Sequence, residues 1–267
     1  MNNPKMTLYD TIGKNYTQTR KSDPRIAAKL LEILSFYQAT TIADIGAGTG
    51  SYAAMLAANG YRVLAIEPSV TMRSQALNHH AIQWIDAFAE QIPLPDRAAD
   101  VAIFMLAFHH FQDYQKALRE IHRVVSGGKM ILFTYDPAVI SSFWLTDYFP
   151  SFMADVQSTF LPIPTLVSEI ESISNLTVNV LPFPLPNDLS DSFAAVGWAR
   201  PELYLDANIR NGISSFAKMT DIELDRGLAS LRDDLATKAW DRKYSHLRQQ
   251  PEYDAGYRFI YTTDRQL

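Results

Sequence analysis

The sequence of 267 residues contains no cysteine. Disulfide bonds are therefore excluded, and so are iron–sulfur clusters held by cysteine thiolates. Reactions that depend on a cysteine nucleophile are excluded for the same reason. Any chemistry must come from other side chains or from a bound small molecule.

Excess positive charge and long apolar runs are also lacking. The chain has 24 Lys and Arg against 29 Asp and Glu, and the formal net charge is -5. No basic field attracts nucleic acid, which is therefore disfavoured as a partner. The longest apolar run, 101–108, is far shorter than the roughly 18 residues that cross a bilayer, and the N-terminus lacks the apolar region of a signal peptide. We therefore expect a cytoplasmic protein without a membrane span.

A glycine-rich stretch follows the first β-branched run, 41–45. Glycines stand at positions 46, 48 and 50, and a helical pattern covers 51–59. This order predicts a strand, a tight turn and a helix, in which bare peptide and unpaired helix N–H groups face a ligand. Asp44 lies two residues before the first glycine. Its carboxylate would repel a pyrophosphate and would hold a ligand with an amino group or a positive charge.

Acidic residues also end the next two predicted strands. The second, 61–68, places Glu67 at its tip, and 67 − 44 = 23 positions is near the spacing at which doubly wound folds bind ribose hydroxyls through a carboxylate. The third, 82–87, ends near Asp86. Two further strands are predicted at 100–106 and 130–135. Strands that alternate with helices through residue 136 predict a parallel, doubly wound sheet.

These features together resemble class I S-adenosylmethionine (SAM) methyltransferases. The resemblance rests on the stretch from Asp44 to Gly50, on Glu67 and Asp86, and on the glycine turn 127–128 before the fifth strand. It covers residues 40–136 and is similar to the type 11 group of ubiquinone- and menaquinone-biosynthesis methyltransferases. It implies SAM as the methyl donor, S-adenosylhomocysteine as the product, and a small-molecule acceptor methylated on oxygen, nitrogen or carbon.

The resemblance implies an α/β fold: a Rossmann-like sheet of seven mostly parallel strands with the last strand antiparallel, and a helical cap. The segment after residue 137 is rich in aromatic residues and breaks the regular alternation. The expected divisions are an N-terminal arm with the SAM-binding core (1–137), a cap insertion (138–163), a core helix and strand (164–186), a helical cap insertion (187–250) and a last core strand (251–267).

The same resemblance assigns the residues that bind the cofactor. A tyrosine and an arginine of the N-terminal arm fold over it, a methionine packs on adenine, and an aspartate with the following N–H binds the adenine edge. The positions that match are Tyr16, Arg20, Asp44, Gly46, Ala47, Gly48, Glu67, Pro68, Met72, Asp86, Ala87 and Met105.

The catalytic residues are harder to identify, because the methyl group of a sulfonium is already activated. The protein chiefly supplies alignment and exclusion of water, and a base is needed only if the acceptor must lose a proton. His110, Tyr135 and Asp136 follow strands at the carboxyl edge and are the candidates, although each could instead be structural. The histidine pairs 79–80 and 109–110 lack the spacing and carboxylates of a zinc site, so no metal is expected.

Three alternatives remain. A SAM-binding protein without catalysis, acting as a regulator or partner, fits the same motifs. A tRNA-modifying enzyme that uses a SAM derivative is disfavoured by the acidic balance. A nicotinamide-dependent reductase is disfavoured because Ser51 stands where its fingerprint has the third glycine. The apolar residues 104–107 lack the motif of enzymes that methylate nucleobase or glutamine nitrogen. A monomer and a homodimer are equally compatible with the sequence.

Overall fold

The computed structural model describes residues 20–265. The strands are β1 (Thr41–Ile45), β2 (Arg62–Ile66), β3 (Ile82–Ile85), β4 (Val101–Met105), β5 (Met130–Tyr135), β6 (Thr177–Pro182), β7 (Leu185–Pro186), β8 (Glu252–Tyr253) and β9 (Tyr257–Thr263). Seven of them form one sheet in the order β3-β2-β1-β4-β5-β9-β6. Strands β1 to β5 are parallel, and β9 runs antiparallel to both β5 and β6. The predicted fold, with its last strand antiparallel, is confirmed.

The helices cover both faces of the sheet and build the cap. They are α1 (Pro24–Leu34), α2 (Ser51–Ala58), α3 (Val70–Arg73), α4 (Tyr114–Val124), α5 (Ser151–Thr159), α6 (Ile163–Ser174), α7 (Ala207–Asn211), α8 (Ser214–Ala217), α9 (Asp221–Ala236) and α10 (Ala239–Arg248). Asp23 caps α1 by accepting a hydrogen bond from the backbone N of Arg25 at 2.9 Å, and Pro24 takes the first helical position. Within residues 20–265, none of the helices has the length and apolarity to cross a membrane.

The central strands are buried on both faces, as their unbroken apolar sequences indicate. Along β5, Ile131 and Phe133 join the core on one face, whereas Met130 and Leu132 join the core on the other. This alternation is the two-residue period of a strand. The first of these cores continues from the sheet into the cap.

Aromatic side chains form the interior of the cap. The indole N–H of Trp144 donates to the carbonyl of Trp198 at 2.9 Å, and the hydroxyl of Tyr148 bonds the carboxylate of Asp234 at 2.7 Å. Trp144 is also packed edge-on against Trp240. Much of the aromatic content after residue 137 therefore stabilises the cap itself.

A two-stranded ribbon, β7 and β8, flanks the helical region 187–250. In it, Leu185 pairs with Tyr253 and Pro186 with Glu252. The sequence did not indicate this ribbon, because two-residue strands are too short to show a periodicity and one of them contains proline. Its antiparallel pairing brings the two ends of the region together beside the sheet.

Candidate active site

The glycine turn after β1 adopts a backbone that other residues rarely adopt. Gly46, Gly48 and Gly50 have φ angles of +71°, +59° and +80°. A Cβ atom on Gly46 would lie 2.6 Å from the Cβ of Ala107. The N–H groups of Gly46 and Ala47 both donate to the carbonyl of Ile66, at 2.8 and 3.0 Å. The turn is thus fixed to the end of β2 by hydrogen bonds. It also packs closely against Ala107, after β4, because Gly46 has no side chain.

Asp44 is buried at the carboxyl end of β1, with an exposed fraction of 2%. Among the residues that the structure describes, no group forms a hydrogen bond to its Oδ2. Burial, reinforced by the negative charge of Glu67, raises the pKa of the Asp44 carboxyl to about 7. An unpartnered buried carboxylate is costly. The group is therefore suited to a ligand with a cationic amino group.

Glu67 joins the glycine turn to the next helix. Its Oε2 accepts a hydrogen bond from the N–H of Gly48, and its Oε1 accepts one from the N–H of Ser69, both at 2.9 Å. Ser69 in turn caps α3 by accepting from the N–H of Met72 at 3.2 Å. The buried Met72 side chain reaches the turn, where its Cε would lie 3.3 Å from a Cβ on Gly48. Pro68 lies between Glu67 and this cap.

Asp86 lies in a different surface recess from Asp44. It follows β3, is two-thirds exposed, and forms two hydrogen bonds to Arg73, at 3.0 and 2.7 Å. Arg73 also donates to the carbonyl of Glu67, so it ties the ends of β2 and β3 together. Ala87 and Asp86 line this recess together with Lys116. Nothing in the sequence had singled out Arg73.

A first cavity surrounds the glycine turn. Its walls contain Arg20, Asp44, Gly46, Ala47, Gly48, Thr49, Ser51, Tyr52, Met105 and Asp191. We call it the donor cavity. Six of the positions assigned to the cofactor therefore lie around one space. The other described positions do not line it: Glu67, Pro68, Met72, Asp86 and Ala87.

Arg20, which precedes α1, lines the donor cavity and contacts the cap. Its Nε lies 2.5 Å from Oδ1 of Asp191, and its guanidinium carbon lies 5.9 Å from the ring centre of Phe193. The sequence had not identified Asp191, which is buried and has no local pattern around it. Tyr16, the other arm residue assigned to the cofactor, lies outside the described residues.

A second cavity lies between the carboxyl edge of the sheet and the cap. Its lining residues are Arg20, Leu106, His109, Tyr135, Ile140, Phe143, Phe152, Val156, Phe160, Phe193, Ala194, Ala195, Gly212, Ile213, Ser214, Ser215 and Tyr257. We call it the acceptor cavity. Arg20 lines both cavities, and the adjacent residues Met105 and Leu106 line one each. Leu106 has a φ angle of +55°, which is rare for a residue with a side chain.

The predicted catalytic residues have different surroundings. His109, rather than the predicted His110, lines the acceptor cavity. His110 is exposed, and its ring lies against that of His109 at a tilt of 49°, with 3.9 Å between ring centres. A role of His110 in catalysis stays a prediction. The two histidines lie in a 3₁₀ turn, Phe108–His110.

Tyr135 lines the acceptor cavity, whereas Asp136 directly follows the end of β5. Asp136 accepts a hydrogen bond from the N–H of Ala138 at 3.1 Å and faces Arg258 at 3.8 Å. Among the described residues, Asp136 does not line the acceptor cavity. Tyr135 is buried, and burial raises the pKa of its hydroxyl.

Known proteins resemble the chain in both sequence and structure. The methyltransferase domain family matches residues 43–133. The crystal structure of an Anabaena variabilis protein, assigned as a methyltransferase of an antibiotic biosynthesis pathway, is 43% identical, with a TM-score of 0.87 over 92% of this chain and 99% of that one.

Two curated relatives match a shorter part of the chain. The ubiquinone/menaquinone biosynthesis C-methyltransferase of Rubrivivax gelatinosus is 30% identical over 164 residues, which are 59% of this chain and 62% of that protein. The malonyl-[acyl-carrier protein] O-methyltransferase of Hamiltonella defensa is 28% identical over 129 residues, 48% of this chain and 50% of that protein. The chain thus spans about half to three fifths of these relatives. With the matched sheet order, the glycine turn and the near-complete overlap with the Anabaena structure, the chain belongs to the class I SAM-dependent methyltransferases.

Proposed function

We propose that this protein transfers a methyl group from SAM to a small organic acceptor, on oxygen, nitrogen or carbon. The observation that carries the proposal is the unpartnered carboxylate of Asp44, buried beside a turn of bare peptide. A cationic amino group there would supply the missing partner. SAM carries such a group, and when bound it supplies a methyl group already activated on a sulfonium.

The chain's own residues would hold the donor along the carboxyl edge of the sheet. Asp44 would meet the amino group, and Ala47 and Gly48 would leave room for close approach at the turn. Glu67 would accept the ribose hydroxyls, because the N–H groups of Gly48 and Ser69 hold its carboxylate at the carboxyl end of β2. Asp86 with the N–H of Ala87 would reach the adenine edge, and Met72 would pack on the base.

The acceptor would occupy the second cavity, whose cap residues exclude water from the reacting atoms. Arg20 lines both cavities, and the adjacent residues 105–106 line one each. The two ligands would therefore meet at the boundary between the cavities. Tyr135 and His109 would orient the acceptor. Alignment and exclusion of water are the contributions that an in-line methyl transfer requires from a protein.

Calorimetric titration of the purified protein with SAM, S-adenosylhomocysteine and NADPH tests the donor site. Micromolar binding of the first two and no heat from NADPH is expected. Asp44→Asn should abolish SAM binding, whereas Asp96→Asn, which changes an exposed carboxylate paired with Arg123, should leave it intact. Binding of NADPH alone would overturn the proposal.

Methyl transfer itself is tested with SAM labelled in the methyl group and a panel of small acceptors. Label should move to at least one acceptor and not to bulk tRNA. Tight SAM binding without transfer to any acceptor would instead favour the silent binding protein.

A further inference from the structure

Arg73, the last residue of α3, makes three hydrogen bonds at the ends of two neighbouring strands. Its Nη1 and Nη2 atoms donate to Oδ1 and Oδ2 of Asp86, at 3.0 and 2.7 Å, and Nη1 also donates to the carbonyl of Glu67. The backbone N–H of Glu67 donates to the carbonyl of Ile85 at 3.1 Å. The residue that follows β2 is thus joined to the end of β3 through its own backbone and through Arg73.

The pairing with Arg73 fixes the orientation of the Asp86 carboxylate. Two N–H bonds from a rigid, planar guanidinium to the two oxygens of one carboxylate define both its position and its plane. The Arg73 side chain is 17% exposed and that of Asp86 is 67% exposed. The arginine is therefore the anchored partner. Without it, Asp86 would be free to change rotamer in water.

The same ion pair adds little to the stability of the fold. Ion pairs with an exposed member contribute little to the free energy of unfolding, because water screens the charges and ordering the side chains costs entropy. The backbone pairing of β2 with β3 and the Ser69 cap of α3 hold this region without Arg73. The consequence of the contact therefore lies in what Asp86 presents to a ligand.

Asp86 can accept further hydrogen bonds while it is paired. Each of its oxygens accepts one bond from Arg73, and a carboxylate oxygen has a second lone pair. The exocyclic amino group of adenine is a hydrogen-bond donor, and unsubstituted purine lacks only that group. A carboxylate in a fixed orientation therefore distinguishes the two bases.

We infer that Arg73 is a positioning residue for recognition of the adenine base: it holds the Asp86 carboxylate in the orientation that accepts the exocyclic amino group. The inference rests on the proposed function, in which Asp86 and Ala87 reach the adenine edge. Arg73 acts on the base through Asp86, so its effect is on base preference rather than on ligand binding in general.

Calorimetric titration with S-adenosylhomocysteine and with its analogue that carries purine in place of adenine tests the inference. The wild type should bind S-adenosylhomocysteine at least about tenfold more tightly, because the analogue cannot form the charge-assisted hydrogen bond. Arg73→Met keeps the length of the side chain without its donors and should reduce this preference to within about threefold. The ratio of two affinities measured on one protein does not depend on the fraction that is folded.

A double-mutant cycle shows whether Arg73 acts through Asp86. Asp86→Ala should also reduce the preference to within about threefold, and adding Arg73→Met to it should change the preference no further. Arg73→Lys keeps the charge but not the paired N–H groups, so its preference should be closer to that of Arg73→Met than to that of the wild type.

Arg123 provides the matched control. It likewise pairs with an exposed carboxylate, that of Asp96, and donates to a backbone carbonyl, that of Leu94, both at 2.8 Å. Within the described part of the chain, its hydrogen bonds involve none of the positions assigned to the cofactor. Arg123→Met should therefore keep the preference for adenine.

The outcomes separate this inference from the proposed function. If the wild type does not bind S-adenosylhomocysteine, the proposed function fails. If it binds, the function stands, and the positioning role is overturned by any of three results: no preference in the wild type, an unchanged preference in Arg73→Met, or a full preference in Arg73→Lys. Equal weakening of both ligands in Arg73→Met leaves the preference unchanged and would show a merely structural role.

Discussion

The Nε atom of Arg20 lies 2.5 Å from Oδ1 of Asp191, and this ion pair connects the chain before α1 to the cap. The two side chains are only 13% and 4% exposed. Because Arg20 lines both cavities, the pair lies where the two cavities adjoin. This buried contact therefore joins the cap to a residue that lines both cavities.

Breaking this pair on one side should be costly. Arg20→Ala leaves Asp191 buried without its partner, and removal of one member of such a pair costs about 3–5 kcal/mol. A double-mutant cycle with Asp191→Ala, followed by urea unfolding, should give a coupling energy above about 1.5 kcal/mol.

The exposed pair Lys29–Glu32 is the control, since its N–O distance is also 2.5 Å. Its coupling energy should stay below about 1 kcal/mol. Equal values for the two pairs would show that the burial of Arg20 and Asp191 adds nothing.

SAM affinity should depend on the protonation of Asp44. The pKa of this carboxyl is about 7 in the free protein, and a cationic ligand keeps the group ionised. Below that pKa, binding must release a proton, so affinity should fall about tenfold per pH unit as the pH drops from 7 to 5. Calorimetry across pH measures this slope, and a flat profile would contradict it.

Stability should show the opposite dependence on pH. The folded protein keeps the Asp44 proton at pH values where the unfolded chain, with a pKa of about 3.9, has lost it. The free energy of unfolding therefore falls as the pH rises from about 4 through about 7. Asp44→Asn removes this fall, so its melting temperature relative to the wild type should be higher at pH 8 than at pH 5. A constant difference would mean that the carboxyl titrates normally.

Glu67→Ala should weaken SAM binding about tenfold or more, because hydrogen bonds to a charged group are worth about 1.5–3 kcal/mol. The same change releases the N–H groups of Gly48 and Ser69. Glu67→Gln keeps one carbonyl acceptor, so its SAM affinity should lie between those of the wild type and Glu67→Ala. Glu252→Ala, on the exposed β8 strand, is the calorimetric control. Unchanged affinity in Glu67→Ala would remove this residue from the donor site.

Gly46→Ala should destabilise the protein by about 1–3 kcal/mol through overpacking. The new Cβ would lie 2.6 Å from the Cβ of Ala107, at a φ angle of +71°. Gly127→Ala is matched in φ, at +69°, but has no neighbouring atom within 4 Å. The difference in the free energy of unfolding between Gly46→Ala and Gly127→Ala, measured with denaturant, gives the cost of the contact with Ala107. The double variant with Ala107→Gly should recover that difference, and failure to recover it would assign the loss to the backbone.

Local patterns in the sequence predicted most of the sheet. The bounds of β5, Met130–Tyr135, coincide with the prediction. The turn at Gly46 was also predicted, since glycine at alternate positions after a β-branched run is a local signal. In each case the residues that determine the element are neighbours in the chain.

The sequence by itself therefore determined the order of strands and helices, the glycine turn and the carboxylates at the strand ends. Only the tertiary structure decided that His109 lines the acceptor cavity, and that Asp191 pairs with Arg20 across 171 positions. Contacts between distant segments depend on how the cap packs on the sheet, and no short-range periodicity encodes that packing. The donor side of the site is thus largely local in origin, whereas the acceptor side is a product of tertiary packing.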